Sequence, residues 1–404
     1  MNQTPIRRHS ARCVARIGPR IRPRIGASRN RNTRGRALTA ATLTFFIGAL
    51  GLVSPAAHAQ TTVRIDASTI ERPAIAPGDD ASRLISAFVD RHASALRSGD
   101  AAEAARAIAQ VLQPLDNADA SVSFRQAYTA ALSALLDEMA DDRDHTWRRL
   151  SALRLAGRLA TEPSATFVER SLASDTEADR LFAIVAVEMI FDAAAGASPA
   201  VTPATLLRLI DRFDTALQED DDAMRLDARV RALIAAADVP ASRLPGVADA
   251  AKTVLAERLA AVLRDQPVSD ADPAALRAVL RSAAAISDRI RIPGQATPEF
   301  AITAAAFAGD MIAYTLERSA EGSLVTGDED AFDTLFVGVA DNLARFADQR
   351  YAEARSTSPV FDRVSPLRDA VVSGDRSGFD ANGIRLIQLL TERPFSLPAS
   401  RFER

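Results

Sequence analysis

Few side chains in this sequence could carry chemistry, and each has a structural competitor. His92 and His145 lead, because imidazole titrates nearest neutral pH. His145 follows Asp141, Asp142 and Asp144 and precedes Trp147. A carboxylate orienting an imidazole is the core of a general acid–base pair. The competing reading makes these acids helix caps, with His145 in the first turn, where the backbone dipole favours negative charge. Charged first turns are the commoner arrangement, and they are the expectation here. His92 sits in Asp90-Arg91-His92 on an amphipathic stretch and is expected to be exposed.

Glu188 is the most unusual acid. It lies inside the apolar run 181–191, and helical spacing puts it on one face with Leu181, Ile184 and Val185. A buried carboxylate there would have a raised pKa and could mark a site. The alternative places it at the edge of the stripe, paired with an arginine.

Four acidic runs recur: Asp79-Asp80, Asp141 to Asp144, Glu219 to Asp222, and Asp328-Glu329-Asp330. A calcium loop starting at Asp328 would need an oxygen ligand at its fifth position and glycine at its sixth. Those positions hold Phe332 and Asp333, so the pattern fails. Helix starts are the expected role of these runs. Trp147, Tyr128, Tyr314 and Tyr351 could line a groove, but isolated aromatics on amphipathic helices are expected in the core. The sequence has no nucleophile elbow, phosphate loop, paired-histidine zinc motif or dinucleotide-binding glycine pattern. No catalytic, cofactor-binding or metal-binding residue is assigned.

The elements that must position these side chains are helices. Thr202-Pro203, Asp272-Pro273, Thr297-Pro298 and Ser365-Pro366 each set a capping side chain before proline at a first helical position. Gly99 and Gly374 stand where helices should stop. Phe332, Leu335, Phe336, Val339, Leu343 and Phe346 follow a helical period. So do Leu206, Ile210, Phe213 and Leu217, and Val254, Leu255, Leu259 and Val262. The run 181–191 is apolar nearly all round and should be a central helix. About thirteen helices are expected between Asp79 and Arg393, and the fold class is all-α. Their arrangement is expected to be an irregular α-solenoid or an array of helical hairpins.

Two segments look alike. Arg149-Leu150-Ser151-Ala152-Leu153-Arg154-Leu155-Ala156 and Arg180-Leu181-Phe182-Ala183-Ile184-Val185-Ala186-Val187 each begin with Arg-Leu after an acidic stretch. Over about 143–235 the chain resembles HEAT repeats, with Asp220-Asp221-Asp222 and Arg225 as a third, irregularly spaced copy. That resemblance implies stacked helix pairs that offer a surface, with no inherited active site.

The N-terminus reads as an address. Residues 1–36 hold eleven arginines and no acid. Residues 37–53 are uncharged and largely apolar, Pro55 interrupts them, and Ala57-His58-Ala59 follows. This is the pattern of a secretory signal peptide cut after Ala59. An uncleaved anchor is the alternative, since seventeen uncharged residues approach the roughly 20 that span a bilayer. Residues 60–78 are expected as a flexible linker, with Thr62 to Ile65 a possible short strand, 79–393 as the helical body, and 394–404 as a C-terminal tail.

The whole chain of 404 residues carries 49 basic and 52 acidic side chains. Removing 1–59 with its eleven arginines leaves 38 basic against 52 acidic, a formal charge of −14. That sign disfavours nucleic acid and anionic lipid as partners. Cys13, the only cysteine, departs with the leader, as do His9 and His58. Lys252 is the only lysine. The resulting expectation is an exported protein, periplasmic or extracellular and without stable membrane insertion. Its expected role is a non-catalytic scaffold or binding module for another protein or an envelope component. An all-α enzyme using carboxylate chemistry is the main alternative.

Overall fold

The structure is a computed structural model that describes residues 64–403 apart from 99, 220, 221, 295 and 330. The leader, its cleavage site and Gly99 lie outside the described residues. All regular elements among the described residues are helical, with one isolated bridge between Thr161 and Ala200. The all-α expectation therefore holds.

A short α1 (Ala67–Ile70) precedes α2 (Asp80–Arg97), α3 (Ala101–Leu112) and α4 (Val122–Ala140). The middle of the chain forms α5 (Thr146–Leu159), α6 (Glu162–Ser171), α7 (Glu177–Ala195), α8 (Pro203–Glu219) and α9 (Ala223–Ala237). It continues with α10 (Val247–Asp265), α11 (Pro273–Ile290), α12 (Pro298–Ala320) and α13 (Phe332–Arg355). The last two are α14 (Leu367–Val372) and α15 (Arg376–Thr391). Among the described residues fourteen α-helices thus lie between Asp79 and Arg393, against about thirteen expected.

Aspartate starts many of these helices. Asp79, Asp100, Asp222, Asp272 and Asp375 each accept a hydrogen bond from a first-turn N–H. Each bond satisfies a donor that the helix itself leaves without a partner. Thr202 and Thr297 cap their proline-led helices as expected. Ser365 does not, because α14 begins one residue later and Pro366 occupies the cap position. Gly374 ends α14 with a φ of 75°, a conformation that costs glycine little.

Each helix from α5 to α11 meets the helix two places further on, and most also meet their successor. One row of neighbours runs α5, α7, α9, α11, α13, and another runs α6, α8, α10, α12. Within α7, Ala183, Ala186, Val187, Ile190 and Phe191 are fully buried, so the expected central helix is present. The expected stripe on α13 is rotated. Leu335 is 49% exposed, while Phe336, Val337, Ala340, Leu343, Ala344 and Ala347 are buried. The physical reason is that α13 packs on both α11 and α12. Small alanines permit that approach, and a pattern built on large side chains overlooks them.

The two ends of the body differ from expectation. Residues 64–78 are not a free linker. Ile65 and Ile70 are buried, and the hydroxyls of Ser121 and Ser123 donate to the carbonyls of Arg72 (2.6 Å) and Pro73 (2.8 Å). Arg64 and Ile65 form no strand. The segment after 393 is likewise no loose tail. Phe395 and Phe402 are buried, and Phe395 stacks on Phe361 with ring centres 5.4 Å apart. Apolar residues spaced irregularly in a short segment have no period to reveal them.

Gly157 marks the closest approach in the first row. A Cβ there would lie 2.9 Å from both the Cα and the carbonyl oxygen of Ala186. Backbone cannot swing aside as a side chain can. Gly157→Ala should therefore separate α5 from α7 and cost about 1–3 kcal/mol. Denaturant unfolding measures this, and an unchanged midpoint would contradict the close packing.

Candidate functional site

His145 is held by one aspartate of the three. It occupies the N-cap position of α5, one residue before the first turn. Asp142 accepts the backbone N–H of Asp144 (2.9 Å) and of His145 (3.0 Å). The His145 ring nitrogen Nδ1 lies 3.2 Å from both Asp142 oxygens, and the Arg148 guanidinium donates to Oδ2. Asp141 instead ends α4, and Asp144 is exposed. Burial pushes the Asp142 carboxyl up, but the N–H groups of His145 and Asp144, the His145 ring and Arg148 outweigh it. The net shift is downward. The group builds a turn between α4 and α5 and satisfies its polar atoms locally.

His92 is half-buried, not exposed, with its ring edge-on to Phe88 at 4.8 Å. Burial lowers its pKa. The cause is that α2 packs on α4, which brings Phe88 and Tyr128 together. Glu188 is half-buried on α7 and lies 3.7 Å from Arg231 of α9. Burial raises its carboxyl pKa, and Arg231 opposes the rise. Tyr128 and Tyr314 are core residues, and the Tyr128 hydroxyl donates to the Val111 carbonyl at 2.8 Å. Trp147 and Tyr351 are half-buried. The run at Asp328 does not cap α13, whose N-cap is Ala331. The first-turn acid is Asp333. Lys252 is buried, 2.6 Å from Asp249 and 5.1 Å above the Phe300 ring.

The carboxylates recur as bridges between neighbouring helices. Arg149 of α5 donates to Asp179, just inside α7, at 2.9 Å. Arg281 of α11 reaches Asp227 of α9. Arg258 of α10 grips Asp214 of α8 with two bonds, 2.5 and 2.7 Å. Arg208 of α8 meets Glu169 of α6 at 2.9 Å. Such planar, charge-assisted contacts fix the register of adjacent helices.

The candidate binding site is a cleft of about 590 Å³ between the start of α11, the second half of α12 and the start of α13. Leu276, Tyr314 and Phe332 supply apolar wall, and Val325 is half exposed at the mouth. Arg318 lies one turn beyond Tyr314 and donates to buried Asp333, whose other oxygen accepts the Val325 N–H at 2.8 Å. Arg277 is exposed at the rim. Both Asp333 oxygens are engaged, so the polar wall offers guanidinium donors beside apolar surface. That is the chemistry of binding more than of proton transfer. Among the described residues no group of three histidine, cysteine or acidic side chains could hold a metal ion. None of these helices is long and apolar enough to cross a membrane.

Sequence reasoning missed Asp310. It is 1% exposed in the middle of α12 and accepts from Arg264 of α10 (3.1 Å) and from Arg401 near the C-terminus (2.5 to 3.2 Å). Burial raises its pKa, and both arginines pull against that. The visible signal was a single acid inside the apolar stretch 300–314.

No protein-family model matches the chain, and no curated protein matches it. Among solved structures it is similar to a crystal structure described as an engineered protein. The two share 16% identity over 82% of this chain and 91% of that one, with a TM-score of 0.29. That likeness is too slight to carry an argument.

Two outcomes follow from these ion pairs. Asp142→Ala should lower thermal stability at neutral pH. The folded pKa is depressed, so this stabilisation is present above the ordinary value of about 3.8 and is lost as pH falls through the folded pKa. The stability gap to wild type should therefore close as pH falls through the folded pKa, as read by thermal melts across pH. Arg401→Met should cost about 3 kcal/mol, because it leaves the Asp310 carboxylate buried with Arg264 alone. Adding Asp310→Asn should recover part of that loss in a double-mutant cycle. Additive losses would contradict the coupling.

Proposed function

We propose that this chain is an exported helical scaffold that binds another protein or an envelope component, with the cleft between α11, α12 and α13 as its docking point. The carrying observation is the apolar rim of that cleft. Val325 is half exposed and Phe332 partly buried beside a polar wall whose Asp333 is already paired. Isolated exposed apolar residues need no explanation, but a rimmed apolar cleft is a usual place for recognition. The alternate-helix packing supports an α-solenoid reading, because such arrays expose long surfaces without a deep reaction chamber. The Arg149–Asp179 bridge between the two similar segments supports the HEAT-like reading of 143–235. The basic, then apolar, then Ala-x-Ala leader supports export.

Mature protein recovered from the exporting cell should begin at Gln60, as read by N-terminal sequencing. Used as bait against envelope extract, it should retain a defined partner. Val325→Asp with Arg277→Glu should abolish that retention while leaving the fold intact by circular dichroism. Retention unchanged in this variant would overturn the assignment of the cleft. A product that keeps residues 1–59 would replace the free protein with a tethered one.

A further inference from the structure

A second cleft, of about 370 Å³, opens where α6, α7, α8 and α9 meet. Among its described lining residues are four arginines, Arg170, Arg180, Arg212 and Arg229, against one acid, Glu169. This is a local excess of cations in a body whose formal charge without the leader is −14. Glu169 is already shared between Arg208 at 2.9 Å and Arg212 at 3.5 Å. Arg180 spends one donor on the Ser174 carbonyl, at 2.7 Å. Arg170 is largely exposed, and its distance to Asp137 is 3.7 Å. A guanidinium carries five donors, so Arg180 and Arg212, both lining the cleft, keep donors beyond these contacts. The apolar lining includes the partly exposed Leu172 and Ala216 as well as the buried Ile184 and Phe213.

We infer that this cleft binds a small organic carboxylate with an apolar body, its charge held by Arg180 and Arg212 and its hydrocarbon laid on Leu172 and Ala216. The pairing of fork-shaped donors with a planar anion supplies direction. The apolar floor makes a purely inorganic anion the poorer ligand. The net negative charge of the surrounding body repels anions at long range, so binding depends on contact inside the cleft. This site is separate from the cleft at α13 and does not depend on its role.

Calorimetric titration of the protein with hexanoate, hexanol and inorganic phosphate, at one ionic strength, tests the inference. Hexanoate should bind saturably and at least tenfold tighter than either of the others. Arg180→Gln with Arg212→Gln should weaken it at least tenfold. Thr215→Glu adds an anion at the exposed edge of the cleft without touching the core, and it should have the same effect on a fold that still melts like wild type. Arg385→Gln, on α15 and outside the cleft, should leave binding unchanged. Equal binding of hexanoate and hexanol, phosphate binding as tight as hexanoate, no saturable binding, or full affinity in Thr215→Glu would each overturn it.

Discussion

The structure depends on how closely alternate helices approach one another. Many of their contact faces are alanine, and alanine buries useful area only when backbones come near. At Gly157 the gap to Ala186 leaves no room even for a methyl group. The same rule explains α12, where Ala301, Ala304, Ala305 and Ala308 are fully buried alongside larger residues. Close approach keeps the dispersion contacts dense and the interior free of water.

Charged side chains then set the register that alanine faces leave loose. Flat, small-residue faces can slide, and an Arg–carboxylate bridge between adjacent helices resists that. Arg149–Asp179, Arg258–Asp214 and Arg281–Asp227 each join helices of the same row. Most are partly exposed, so their value lies in geometry more than in net stability. Asp310 is the exception. Its carboxylate is fully desolvated, and two guanidiniums from distant parts of the chain are needed to hold it there. Arg401 thereby ties the C-terminal segment to α12, beside the buried Phe402.

This economy bears on function. The acids that looked reactive in isolation, Asp142 and Glu188, each meet an arginine. The two clefts occur where such bridging leaves guanidinium donors beside apolar surface, at Arg277 near α13 and at Arg180 and Arg212 near α8. On the proposed reading, both recognise a ligand or partner.

The helices, many of their caps and the stripe on α8 were legible in the residue order, because each depends on neighbours within one or two turns. Aspartate before a helix and proline at its first position act locally, and so did Leu206, Ile210, Phe213 and Leu217, all of which are buried. The rotation of α13, the docking of 64–78 and 394–403, and the burial of His92 were not legible. They arise from which helix lies beside which. The ion pairs make the same point, since Asp310 and Arg401 are 91 residues apart and nothing local links them. Sequence order settles what each segment becomes on its own. Partner choice among alanine-faced helices of similar length is settled only when all of them compete for the same buried surface.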